Sequence, residues 1–330
     1  MSMKKRAPRN RTLTCTEEEL DLLAGDLLHL QMPISIEDLA GRIVQQEVEG
    51  ALPFMPSQFV DLLVIDPPYN LTKNYNGLVF KSKQAAEYVE WFEDTLRALL
   101  PTLKKEASVY VCSDWRTSNL IFPVLEKHFL VRNRITWERE KGRGAKSNWK
   151  NNTEDIWYCT MSDDYHFDVE AVKVKRRVIA PYKSEDGSPK DWENSKNGKF
   201  RLTHPSNLWS DITIPFWSMP ENTDHPTQKP EKLIAKLILA SSRKGDFVFD
   251  PFAGSGTTAV VAKKLGRQFC GIEINREYAC WALKRLATAD SDSTIQGFSE
   301  GVFWERNSMP AQKSSKPSKH RAETLGLFND

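Results

Sequence analysis

Two short runs hold the residue types that could do chemistry. Asp66-Pro67-Pro68-Tyr69-Asn70 sets a carboxylate, two rigid prolines and an aromatic ring after the apolar run Val60–Ile65. Asp250-Pro251-Phe252-Ala253-Gly254-Ser255-Gly256-Thr257-Thr258 sets a glycine turn after the apolar run Phe247–Phe249. An amine on an aromatic ring is a poor nucleophile because its lone pair delocalises. A carboxylate and a carbonyl that accept its two N–H bonds would localise that pair. Asp66 would supply the carboxylate, and Pro67 a rigid carbonyl with no N–H to compete. Tyr69 could lie on the ring, as aromatic side chains do on unstacked bases. An ordinary Asp-Pro turn, with a tyrosine closing the core, would use the same residues.

The glycine turn offers a different chemistry. Unpaired N–H groups at a helix N-terminus attract polar ligands, and glycine lets a ligand approach the backbone closely. Such turns also serve packing alone. Glu273 strengthens the ligand reading: it stands about 20 residues on, at the end of the next apolar run, where a carboxylate can accept from ribose hydroxyls. Thr258 occupies the place where an NAD site would want a third glycine, and the turn lacks the lysine of a P-loop. The cofactor therefore carries a ribose and need not carry a pyrophosphate. S-adenosyl-L-methionine fits that description.

Strands must carry both runs to one crevice, because ligands of open α/β sheets sit beyond the carboxyl ends of the strands. Val60–Ile65 and Phe247–Asp250 read as buried parallel strands. Ala107–Cys112, Phe129–Glu138, Asp155–Cys159 and Gln268–Glu273 add further strands. Helices are expected over Lys83–Leu100, Thr117–Lys127, Glu231–Ser241, from the glycine turn to Leu265, and over Arg276–Ala289 with Asn275 as N-cap. Glu37–Glu49 reads as a further helix, Leu71–Phe80 as a flexible loop, and Arg139–Asn152 as a mobile basic loop. Strand–helix alternation fades between Glu170 and Pro220, which reads as an insertion. The first dozen residues form a basic arm without order, and Gln312–His320 a Lys/Ser/Pro-rich tail.

The 330 residues suffice for one large α/β domain with an insertion, or for two domains. A net charge of +2 excludes a bulk polycation, so any nucleic-acid surface must be local. Val131 to His204 holds 16 Lys and Arg against 12 Asp and Glu, an excess of 4 that a solvated face explains as well as a DNA groove does. Cys15, Cys112, Cys159, Cys270 and Cys280 are odd in number and scattered, which argues against a disulfide framework or a zinc site and for a reducing cytoplasm. No metal is expected. No apolar run is long enough to span a membrane, and none follows the basic N-terminus as a signal peptide would require.

With both runs in this order, the chain resembles the β group of amino-methylating DNA methyltransferases, which have a circularly permuted motif order. His225-Pro226-Thr227-Gln228-Lys229-Pro230 matches the segment that precedes the cofactor half in that group. Gly266-Arg267, Gly271-Ile272-Glu273 and Tyr278 match the segment after the glycine turn. The resemblance implies an α/β, Rossmann-like S-adenosylmethionine-dependent methyltransferase fold, with a mostly parallel sheet, helices on both faces and an inserted target-recognition region. It implies a catalytic half over 13–169, target recognition over 170–220, a cofactor half over 221–290 and a tail over 291–330.

In that group, side chains like those of His225, Thr227 and Lys229 lie near the methionine end of the cofactor. Gly25-Asp26 resembles an element whose acidic residue, here Asp26, lies near its adenine. Asp at the position of Asp66 goes with adenine N6, the nitrogen modified after the base is flipped from duplex DNA. Cytosine N4, RNA and a binding-only homologue are the alternatives. A cognate restriction endonuclease and a homodimer are further partners that the resemblance leaves open.

Overall fold

The computed structural model describes residues 7–139, 147–179, 182–195 and 198–306. Residues 140–146 of the expected basic loop, residues 1–6 of the arm and the 312–320 tail lie outside the described residues.

An eight-stranded sheet organises the chain. Its spatial order is Arg42–Val44, Gln268–Ile272, Phe247–Asp250, Val60–Ile65, Leu103–Ser113, Thr153–Thr160, Leu130–Glu138 and Leu208–Trp209. Thr153–Thr160 runs antiparallel to both neighbours, and the other pairings are parallel. Side chains alternate between faces, as the period of a strand demands. Tyr110 and Cys112 join the core beneath the helices Glu231–Ser241, Thr257–Lys264 and Arg276–Ala289. Val109 and Val111 join the core beneath Ala85–Leu99 and Trp115–His128. Both faces are covered, which is why the central strands read as unbroken apolar runs.

The two motif strands are neighbours, with Val248 opposite Leu62 and Phe249 opposite Leu63. From Val60–Ile65 the chain moves outward on one side, and from Phe247–Asp250 it moves outward on the other. The crevice at their carboxyl ends is thus the topological switch point of the sheet.

Three local expectations change. Glu37–Glu49 is not one helix. It splits into a turn of helix at Ile36–Leu39, the edge strand Arg42–Val44 and a second helical turn at Val48–Ala51. Ile43 and Val44, fully buried against Gln268–Ile272, draw this short piece into the sheet. Leu71–Phe80 contains a hairpin, Lys73–Tyr75 with Leu78–Phe80. Its Asn76-Gly77 turn has φ of 51° and 94°, the left-handed pair that this dipeptide favours. The end of the N-terminal arm is held, not free: Arg11 N donates to the Trp217 carbonyl at 2.6 Å and Leu13 N to that of Asn222 at 2.8 Å.

Within the inserted region, Val174–Arg177, Glu193–Ser195 and Gly198–Thr203 build a second sheet. Phe298–Ser299 and Val302–Trp304 complete it from the far end of the chain, so these residues of the expected tail pack on the insertion. Trp192 and Trp209 are buried, whereas Trp217 is half exposed.

Candidate active site

The strand ends frame a cavity of about 390 Å³. One wall carries Asp66, Pro67, Pro68 and Tyr69, and the other carries Phe252, Gly254, Glu273 and Tyr278. The Lys73–Phe80 hairpin contributes Tyr75 and Phe80, and it reaches across to the cofactor-side helix, where Asn76 donates to Glu277. His225 and Thr227 close the floor.

The helix Thr257–Lys264 starts at Gly256, which is left-handed (φ 76°) and has no side chain to cap the first turn. Its opening N–H groups are not occupied by a cap. A Cβ on Gly256 would lie 2.5 Å from that of Ala282, so the turn packs tightly on the following helix. A Cβ on Gly254 would lie 3.0 Å from Nε2 of His225, so the missing side chain leaves room in the cavity wall. Glu273 accepts from Gly254 N and Asn275 N, both at 2.8 Å, one on each oxygen. Burial pushes its pKa up to about 7. Each oxygen keeps a lone pair for a further donor. Phe252 and Ile274 supply apolar wall beside it. A carboxylate acceptor, a bare glycine and an open helix start make a cradle that fits a ribose-bearing sulfonium cofactor.

Asp250, Ser255, Thr257 and Lys229 lie deeper. Asp250 accepts from Phe252 N at 3.0 Å and from the Thr258 hydroxyl at 2.5 Å, fixing the turn, and burial raises its pKa to about 7. Arg285 donates to the Ser255 carbonyl at 2.9 Å and to the Thr257 hydroxyl at 3.0 Å. Pro251 and Ala253 are buried in the turn itself. The His225 ring meets Tyr278 edge-on at 4.5 Å. Burial first, and then the Lys229 charge, lowers its pKa to about 3, so the ring is neutral.

Asp66 is not free. Lys229 Nζ lies 2.7 Å from both of its oxygens, and the Tyr69 hydroxyl donates to Oδ1 at 3.0 Å. The pKa of Lys229 is raised: burial opposes its charge, but Asp66 and Glu154 more than compensate. The Pro68 carbonyl accepts from the Tyr88 hydroxyl at 2.9 Å, which ties the run to the helix Ala85–Leu99.

Two sequence-predicted residues, Asn70 and Asp26, line neither the cavity nor the packed layer behind it. Asn70 spends its amide on Lys83, donating to the carbonyl at 3.0 Å and accepting from the N–H at 2.7 Å, so it clamps the base of the hairpin loop. Asp26 is exposed, and its carbonyl accepts from Arg42. Conversely, sequence reasoning missed Tyr75 and Glu47, which line the cavity, and Glu154, whose carboxylate lies 3.3 Å from Lys229. An acidic residue near the start of an apolar strand was the available signal for Glu154. Among the described residues, no three His, Cys, Asp or Glu side chains converge as a metal site.

A DNA methylase family model matches residues 60–284, a span that holds both cavity walls. The chain belongs to the DNA methylase family. It is 34% identical over 266 residues to the DNA adenine methyltransferase YhdJ of Escherichia coli, covering 78% of this chain and 86% of that one. It is 31% identical over 260 residues to the type II methyltransferase M.HpaI of Haemophilus parainfluenzae, covering 78% and 76%. Among solved structures, the cytosine-N4-specific PvuII DNA methyltransferase superposes with a TM-score of 0.56 at 18% identity, over 74% of this chain and 85% of that one. That likeness concerns the fold. In this chain the Asp-Pro-Pro-Tyr run precedes the glycine turn in sequence.

Proposed function

We propose that this methylase transfers a methyl group from S-adenosyl-L-methionine to the N6 amine of adenine in duplex DNA, at a specific site. The observation that carries the reading is the single cavity shared by the Asp66–Tyr69 run and the Gly254–Glu273 cradle. When bound, the cofactor supplies an electrophilic methyl on a sulfonium. Glu273 would hold its ribose, Gly254 would give it access to the backbone, and Gly256 lets the turn pack on the following helix. The neutral His225, Thr227 and Lys229 set the floor beneath the methionine end.

Asp66 and the Pro67 carbonyl accept the two amine N–H bonds, so the nitrogen lone pair points at the methyl group. Tyr69 holds the base by its face, which makes extrusion from the duplex a requirement. Transfer would exchange the methyl–sulfur bond of the sulfonium for a methyl–nitrogen bond, leaving a thioether, and Asp66 would be placed to take the surplus amine proton. Adenine is preferred to cytosine because the relative named for adenine shares 34% of its residues over most of both chains.

The test is incubation with methyl-labelled S-adenosylmethionine and unmethylated genomic DNA, then chromatography of the digested nucleosides. Label in N6-methyladenine is expected, and label in N4-methylcytosine would retire the adenine assignment. Mapping the modified positions gives the site. A cognate endonuclease, a homodimer and a cytoplasmic location belong to the same proposal. Resistance of methylated DNA to a co-encoded nuclease tests the first, and light scattering tests the second. Among the described residues, no helix is long and apolar enough to cross a membrane.

A further inference from the structure

Three charged side chains meet behind Asp66, which is more than one ion pair requires. Lys229 Nζ lies 2.7 Å from Asp66 and 3.3 Å from Glu154, and Arg139 pairs with the other Glu154 oxygen. The Tyr69 hydroxyl spans both acids, 3.0 Å from Asp66 and 3.3 Å from Glu154. The cluster is neutral only when Arg139 is counted. The Glu154 and Lys229 side chains are 4% and 7% exposed, so water cannot replace a lost partner there, while Arg139 is 27% exposed.

A carboxylate gripped on both oxygens by an ammonium is a poor acceptor for an amine. Releasing it requires Lys229 to find another anion, because breaking a buried pair without replacement costs about 3–5 kcal/mol. Glu154 is that anion, already within reach, and the Tyr69 hydroxyl can turn with the ammonium. Arg139 opposes the transfer by neutralising Glu154. It follows the strand Leu130–Glu138 and precedes the basic residues Lys141, Arg143 and Lys146 in sequence. Arginine is also suited to bidentate phosphate binding.

We propose that Glu154 is a positioning residue for methyl transfer, receiving Lys229 from Asp66 when a DNA phosphate draws Arg139 away. Asp66 then becomes free for the target amine only on DNA. The inference rests on the reading of Asp66 given under the proposed function.

The test uses the full chain in single-turnover methyl transfer to duplex DNA at saturating cofactor. Glu154→Gln should lower the rate about tenfold or more with the Kd values for cofactor and DNA within about threefold, and Glu154→Asp should recover part of it. Arg139→Gln should act in the opposite direction on a short single-stranded oligonucleotide too small to engage Arg139, raising the rate about threefold. A purely structural salt bridge predicts that both variants lose rate together, and that result overturns the proposal, as does an unchanged rate in Glu154→Gln. Were Glu154→Gln to misfold, the Arg139→Gln comparison still decides. In a Lys229→Gln background, Glu154→Gln should add no further loss, and an additive loss would show action independent of Lys229. Wild-type protein that binds cofactor but methylates nothing sinks the reading of Asp66 and this inference together. A methylating wild type with an insensitive Glu154→Gln sinks this inference alone.

Discussion

Replacing Glu273 with glutamine separates charge from shape in the cofactor cradle. In the free protein the half-buried Glu273 carboxyl accepts from Gly254 N and Asn275 N, and desolvation raises its pKa to about 7 from the ordinary carboxylate range. Ribose hydroxyls held by Glu273 as proposed would donate to its ionised form, so cofactor binding should favour loss of the proton and tighten as pH rises through 7. About one-tenth of the groups are ionised at pH 6 and about nine-tenths at pH 8, which gives roughly a tenfold gain in affinity across that interval. Glutamine keeps the volume and loses the charge, and its amide would set a donor against one of the two backbone N–H groups. Hydrogen bonds to a charged acceptor contribute about 1.5–3 kcal/mol, so Glu273→Gln should weaken binding about 10- to 150-fold at pH 8. Its affinity should also become nearly flat between pH 6 and 8. Titration calorimetry of the cofactor at both pH values reads both effects. Wild-type affinity in the variant, or a slope that survives the substitution, would refute the assignment of Glu273 to the ribose.

Other perturbations test other parts of the site. Asp66→Ala should reduce methyl transfer by about 10²-fold or more while cofactor affinity, read by the same calorimetry, stays within a few-fold. Gly256→Ala imposes a left-handed alanine and a Cβ 2.5 Å from that of Ala282, so a loss of about 2–4 kcal/mol is expected in urea unfolding. Arg285→Met breaks a pair with Glu231 that is 3.0 Å long and buried on both sides, at a cost of about 3–5 kcal/mol. It also frees Ser255 and Thr257, so thermal unfolding should show both a lower midpoint and a smaller upward shift with cofactor. Tyr69→Phe keeps the ring and should leave DNA affinity near wild type. Tyr69→Ala removes it and should weaken retention of a flipped base, seen with 2-aminopurine fluorescence, by about 1–3 kcal/mol.

Much of this arrangement was legible before any coordinates. Val60–Ile65, Phe247–Asp250, Glu231–Ser241 and Arg276–Ala289 stand where their apolar patterns and caps put them, because buried parallel strands and capped helices write long local signals. Asn275 does cap its helix, accepting from Tyr278 N at 3.1 Å. Arg42–Val44 was illegible because three residues make no pattern, and only the neighbouring Gln268–Ile272 strand turns them into a sheet edge. The second sheet was illegible for a related reason: its strands come from two distant stretches, and no local period announces that Phe303 will pack beside Val174. In the site, residue types pointed to Asp66 and Glu273, and the structure brings both to one cavity. The Lys229–Glu154–Arg139 connection depends on three elements meeting, and the hydrogen bonds of Asn70 to the Lys83 backbone depend on how the hairpin loop closes.

The pairing of Val60–Ile65 with Phe247–Asp250 also governs how the protein is made. During synthesis the first strand can pair early with Leu103–Ser113, but its other edge stays bare until the second leaves the ribosome. At about 5–20 residues per second that wait lasts on the order of ten to forty seconds. An unpaired apolar strand edge is a template for wrong partners over that time. The nascent chain should therefore depend on chaperones, and a pulse-labelled chain should stay protease-sensitive in its first half until residue 250 has emerged. A chain stopped before Phe247 would contain Asp66 and Tyr69 but not the opposite cavity wall, so no nascent chain shorter than that can methylate DNA.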